Sequence, residues 1–252
     1  GPFTMGADTG GEDDEHPAHT VTLSAFLLDR TEVTNRAYRD CIEQHGCPPP
    51  VIAPRGDAGG EPAIFTRSDQ PVVGVAWDSA NAYCVFRGKR LPREAEFEKA
   101  VRDTDARRYP WGNDAPTPER AVFGRPLMYG GAPDDVGAHP LGRGAYGHDD
   151  LAGNVWEWMQ DEYDPIAYTR PGASEGKPGT CAEILAALDG LRREGKQGFT
   201  GSNPIPTECE RVLRGGAFNY EANGLRATNR VHHPARFRLV MAGFRCAKDA
   251  VR

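Results

Sequence analysis

The chain has 252 residues, with 30 glycines and 21 prolines but with aromatic and aliphatic residues distributed throughout, which excludes a disordered chain and fits an ordered, loop-rich globule able to bury most of its apolar side chains. Its net charge of −6 comes from interspersed acids and bases without a basic run, so nothing supplies the electrostatic footprint that nucleic acid requires. No stretch approaches the roughly 20 apolar residues of a membrane span, and no charged-then-apolar leader opens the sequence, so an export signal, if one exists, is expected to have been removed.

In chain order, residues 19–28 (HTVTLSAFLL) alternate apolar and polar at Val21, Leu23, Ala25 and Leu27, which predicts a half-buried strand. Thr34 is placed to cap a helix to about His45, with Tyr38, Cys41 and Ile42 at helical spacing and Gly46 closing it. Cys47 and the prolines after it predict an extended loop. A second helix is expected after Asp78, with Ala80, Tyr83 and Cys84 on one side and a stop at Gly88. A third is expected from Pro92, with Ala95, Phe97 and Val101 turned inward. Residues 105–180 read as loops with aromatic islands, and 182–194 as a weaker helix inside a polar, Gly-rich insertion around 165–210. RVLRGGAF (211–218) and the AGFRCA segment (242–247) read as short strands. Short elements separated by long ordered loops, with no fixed repeat and no regular β-α rhythm, predict the α+β class and one domain over 1–252.

Six cysteines, Cys41, Cys47, Cys84, Cys181, Cys209 and Cys246, contain no C-x-x-C pair. An even number at wide spacing is compatible with three disulfides, hence with a secreted, periplasmic or cell-surface location.

Several stretches together resemble the formylglycine-generating enzyme family, also called sulfatase-modifying-factor domains. They are FTMG (3–6), EHPAHTVTLSAFLLDRTEVTNRAYRD (15–40), PVVGVAWDSANAYCVFRGKRLPREAEFEKAVR (71–102), YPWGN (109–113), DLAGNVWEWMQD (150–161), RVLRGGAF (211–218) and GFRCA (243–247). The resemblance covers nearly the whole chain in the family's order, and it implies a variant C-type-lectin-like fold, loop-rich with few short helices and small antiparallel sheets. It also implies oxidation of a client cysteine by copper held on two enzyme cysteines. The family's spacing puts those cysteines at Tyr220 and Leu225, whose side chains cannot replace the thiolates that Cu(I) selects, so copper and formylglycine synthesis are not expected. The family pairing implies Cys84–Cys246, leaving Cys41 with Cys47 and Cys181 with Cys209.

The same resemblance implies one calcium site on DLAGNVWEW, held by the side chains of Asp150 and Glu157 and the carbonyls of Gly153 and Val155, oxygen donors of the kind Ca²⁺ takes. A second family calcium site is expected to be lost, with Ala121 where its Asn would fall. Related sulfoxide synthases join this fold to an iron-binding helical domain, which is not expected here.

No G-x-S-x-G elbow, P-loop or H-E-x-x-H occurs. His16 and His19 are expected to hydrogen-bond structurally. His232 and His233, adjacent in sequence, read as the polar rim of a binding surface. Trp156, Phe218, Asn219, Tyr220, Asn223, Arg226, Asn229, His232 and His233 are the candidate ligand contacts, on a surface formed by 218–241 and the GNVWEW region. Rigid aromatics among polar groups suit recognition of a peptide, protein or small molecule. The sequence-level function is therefore a secreted, monomeric, non-catalytic binding or scaffold domain with one calcium. The alternatives are an enzyme whose cleft has been reassigned to another metal-dependent oxidation or peptide modification, and, by a second resemblance, a diversity-generating-retroelement variable protein.

Overall fold

The computed structural model describes residues 1–52, 62–196 and 205–250. The N-terminal FTMG segment forms β1 (Pro2–Met5), which pairs antiparallel with β2 (His19–Thr22). The strand expected over 19–28 is split: residues 23–25 leave the ladder, and β3 (Phe26–Leu28) pairs instead with the far C-terminal β8 (Ala247–Asp249). Val21 and Leu23 are buried as the alternation predicts, but Ala25 and Leu27 are exposed and Phe26 and Leu28 are the half-buried residues of β3, because the break at 23–25 restarts the pattern in another sheet with the opposite phase.

Helix α1 (Asn35–Glu43) starts where its cap predicts, the Thr34 hydroxyl accepting from the Ala37 N–H at 3.2 Å. Helix α2 (Trp77–Phe86) begins two residues earlier than expected, and α3 (Glu94–Arg102) two residues after Pro92. Ala95, Phe97 and Val101 are buried as predicted. Helix α4 (Cys181–Arg193) carries a Thr180–Glu183 capping box and seats Ile184 and Leu188 with Ile205 in a small cluster of their own.

The central sheet has the order β6-β5-β4-β7, with β4 (Trp156–Glu162), β5 (Arg211–Arg214), β6 (Val231–His233) and β7 (Ala242–Gly243). β4 runs antiparallel to β5 and parallel to β7. This is the main departure from the sequence reading, which left 150–162 among loops. Trp156, Glu157, Trp158 and Met159 are all buried, and a strand buried on both faces lacks the alternation by which a strand is recognised. The principal core packs Trp156, Trp158, Leu213 and Phe244 against Tyr38 and Tyr83 of the first two helices.

The six cysteines form three disulfides in the implied pairing, with Cα–Cα separations of 5.4 Å for Cys41–Cys47, 5.6 Å for Cys84–Cys246 and 5.8 Å for Cys181–Cys209. Cys84–Cys246 ties α2 to the residue before β8, and constraining a loop of that length in the unfolded chain is worth about 2–5 kcal/mol. Among the described residues no helix is long and apolar enough to cross a membrane.

Candidate functional site

The turn before β4 brings several of the singled-out residues together. Gly153 has φ +83°, and a Cβ there would lie 2.5 Å from the Val122 carbonyl oxygen, so only glycine lets the turn approach that strand of backbone. Asn154, also left-handed at φ +62°, joins four segments. Its N–H donates to the Val122 carbonyl at 2.9 Å and its carbonyl accepts from the Phe218 N–H at 2.8 Å. Its amide donates to Glu32 Oε1 at 3.1 Å and accepts from the Asp134 N–H at 3.0 Å.

Directly after this turn, both oxygens of Glu157 accept from one guanidinium, Arg245 Nε at 2.7 Å and Nη2 at 2.8 Å, with both side chains fully buried. Arg245 also donates to the carbonyls of Asp29 (3.2 Å), Arg30 (3.1 Å), Asp149 (3.0 Å) and Asp150 (3.2 Å). Asp150 Oδ2 accepts from the Gly137 N–H at 2.6 Å. The four residues expected to hold calcium are thus neighbours along one turn, but they do not fit as a cage. Both oxygens of Glu157 are already taken by a guanidinium, and the Asp150 side chain, the other expected carboxylate, has one oxygen taken by the Gly137 N–H. Among the described residues, the one group of three acid, His or Cys side chains whose ligand atoms lie within 4.8 Å of one another is Glu162, Cys181 and Cys209. There the two sulfurs are joined in a disulfide and offer no thiolate. Burial, with Asp150 and Glu157 beside it, pushes the Glu32 carboxyl well above the usual carboxylate range.

The candidate ligand contacts do not form one exposed face. Trp156 is 2 % exposed, and Phe218 is fully buried against Phe65. Arg226 is buried in a two-pronged pair with Glu15, at 2.5 and 2.8 Å, and its Nε donates to Asn223 Oδ1 at 2.9 Å. Asn229 is buried, and its N–H donates to the Arg226 carbonyl at 3.0 Å. His232 is interior, its Nδ1 2.6 Å from Glu210 and its ring stacked 3.9 Å from that of Tyr163, so it is no rim residue. His233 is half-buried and stacks on Phe237, with burial lowering its pKa.

What remains reachable is small. Tyr220 is half-buried and meets Trp156 edge to face, with ring centroids 5.2 Å apart. Burial raises its phenol pKa, partly offset by the neighbouring indole N–H. That N–H meets no acceptor in hydrogen-bond geometry, and Asn219 Oδ1 beside it in sequence is likewise buried without a donor. Leu225 lies in a separate cluster with Tyr109, Ala121 and Ala152.

Sequence reasoning missed Glu32, Asn154 and Arg245, the charged and polar centre of the turn. The available signal was a charged residue inside an otherwise apolar or glycine-bounded motif, as in TEV, GNV and GFR, where burial demands a partner.

Comparison with known proteins agrees with this architecture. Residues 1–250 match the sulfatase-modifying factor enzyme 1-like domain family. The chain is 33 % identical over 281 residues to the hercynine oxygenase of Mycolicibacterium thermoresistibile, covering 100 % of this chain but 58 % of that protein. It thus spans about three-fifths of the curated relatives it first matches. It is 32 % identical over 209 residues to the inactive C-alpha-formylglycine-generating enzyme 2 of Mus musculus, covering 66 % of this chain and 68 % of that one. The structure of PvdO from Pseudomonas aeruginosa shares the fold, with a TM-score of 0.72 at 23 % identity over 99 % of this chain and 92 % of its own. The chain belongs to the sulfatase-modifying factor enzyme 1-like domain family.

Proposed function

We propose that this chain is an exported, non-catalytic recognition domain that keeps the family scaffold without its copper chemistry, and that Trp156, Asn219 and Tyr220 are its contact point for a peptide or small polar ligand. The observation that carries this reading is the state of the cysteines: all six are paired, so none offers a thiolate to Cu(I). Tyr220, at the first position where the family spacing puts a copper cysteine, is packed against Trp156. The Asn219 amide oxygen, left without a donor in a buried setting, costs about 1–3 kcal/mol, which a ligand bringing one donor would recover. The likeness to an inactive formylglycine-generating enzyme accords with a scaffold that has lost its reaction. Disulfides persist in oxidising compartments, which supports export.

In this reading Arg245 stands at Glu157 where the resemblance implied calcium. Melting is expected to be the same with calcium as with chelator, and a calcium-dependent rise in Tm would overturn that part. A titration with Cu(I) against a chromophoric chelator tests the rest: no stoichiometric copper is expected, and a tight one-to-one complex would sink the reading. A thermal-shift screen of short peptides and small polar molecules should give hits that are lost in Tyr220→Ala. The second reading, an enzyme completed by another metal or domain, is favoured by the end-to-end match to a longer oxygenase. Stoichiometric iron or copper in protein purified without chelator would select it.

A further inference from the structure

A cavity lies between the loop around Gly10 and Gly11, the C-terminal end of α3 and residues 226–228, with a volume of about 230 Å³. Four arginines line it, Arg102, Arg107, Arg108 and Arg226, and no acidic residue does. Three of the four have counter-charges that lie outside the lining. Arg226 pairs with Glu15, Arg102 with Glu98 at 3.0 Å, and Arg107 with Asp105 at 2.7 Å. Two groups are left over. Arg102 is 7 % exposed, yet its Nε–H has no hydrogen-bond partner. Arg108 makes no ion pair among the described residues and rests over the Tyr109 ring, 5.6 Å from its centroid.

The opposite wall is shaped to leave room. At Gly11, φ +76°, a Cβ would overlap Glu15 Oε2 and lie 2.9 Å from Arg226 Nη1, the two halves of the pair behind it, whereas Gly10 has open space around it. Thr9 and Asn113 add neutral polar groups to the lining. Forked guanidinium donors bordering a space whose lining contains no carboxylate, their own partners set behind it, are the chemistry that recognises an oxyanion.

We propose that this cavity binds the carboxylate or phosphate group of a small anionic molecule, with Arg108 and the free Arg102 N–H as the principal donors. The site is independent of the Trp156 contact point and does not depend on it. The test uses the full chain at low ionic strength and titrates inorganic phosphate and succinate separately, by calorimetry and thermal shift, against chloride at matched ionic strength. At least one of the two is expected to bind and to raise Tm beyond chloride. Phosphate alone would identify a phosphate ester as the ligand class, succinate alone a carboxylate. Arg108→Ala, at an exposed side chain, is expected to weaken binding about tenfold, as is usual for loss of a charged hydrogen bond. Gly10→Asp, which places a carboxylate where the space is open, should abolish it. Arg236→Ala, which removes an exposed pair with Glu208 elsewhere, should leave it unchanged. Binding of neither anion beyond chloride, or an Arg108→Ala chain that binds as wild type, overturns the proposal.

Discussion

Two sets of arginines in this molecule behave in opposite ways. Arg214, Arg230 and Arg245 lie inside the protein, each paired with a buried carboxylate: Arg214 and Arg230 share Glu94 at 2.8 and 2.7 Å, Arg214 also reaches Glu98 at 2.5 Å, and Arg245 closes on Glu157. Glu94, despite its burial, is held below the usual carboxylate range by Arg230 and Arg214. The cavity arginines sit at the surface end of α3 with their partners behind them and with donors to spare. The difference teaches that an arginine in a family motif is not by itself a functional signal. What separates a strut from a candidate binding group is whether it is closed inside the core or borders an open space with its counter-charges outside the lining.

The comparison can be broken most forcefully at Arg245. Arg245→Leu leaves Glu157 buried and uncompensated, and a loss of about 3–5 kcal/mol is expected in urea unfolding. A double change of Arg245 and Glu157 to methionine should recover much of that, because removing both charges together removes the desolvation penalty as well. A double variant no better than the single would show that the carbonyl contacts of Arg245, and not its charge pair, hold the turn. Cys84→Ser comes next, with an expected loss of about 2–5 kcal/mol and an intact central sheet by circular dichroism.

Asp161 sharpens the contrast from the other side, because it is an interior carboxyl in no ion pair among the described residues. It accepts only from the Glu94 N–H at 2.7 Å, and burial, with Glu94 beside it, pushes it up to about 7. The folded protein therefore holds this proton through a window, from the ordinary value of 3.8 to about 7, in which the unfolded chain has released it. Its contribution to stability is greatest at low pH and falls as pH rises through that window. Asp161→Asn keeps the acceptor and removes the titration, so the variant's gain on wild type should be larger at pH 8 than at pH 5, by about 2–3 kcal/mol. Equal effects at both pH values would mean that Asp161 is ionised throughout. Arg108→Ala should produce the smallest change, within about 0.5 kcal/mol of wild type, as expected for an exposed side chain without a partner.

How much of this was legible depended on whether the signal was local. The Thr34 and Thr180 caps, the inward face of α3 and the cysteines all announce themselves within a few residues or through a family resemblance. β4 did not, because a strand covered on both faces reads as a hydrophobic run, and its partners lie about 50 and 85 residues away. The candidate ligand surface failed for a related reason. Phe218, Arg226 and His232 are residue types at home on recognition surfaces, but each has a partner far along the chain, and only that partner reveals it as interior. The cavity of four arginines was equally hidden, since residues 9–11, 102–113 and 226–228 meet only in the fold.

The covalent tie between Cys84 and Cys246 also has a consequence for processing. A protease that cuts between residues 85 and 245 releases nothing, because the two pieces stay joined through that bond, and a cut between Cys181 and Cys209 leaves them joined twice. A nicked molecule would migrate as intact on a non-reducing gel and separate only after reduction, so internal cleavage of this protein can loosen a loop without shedding a fragment.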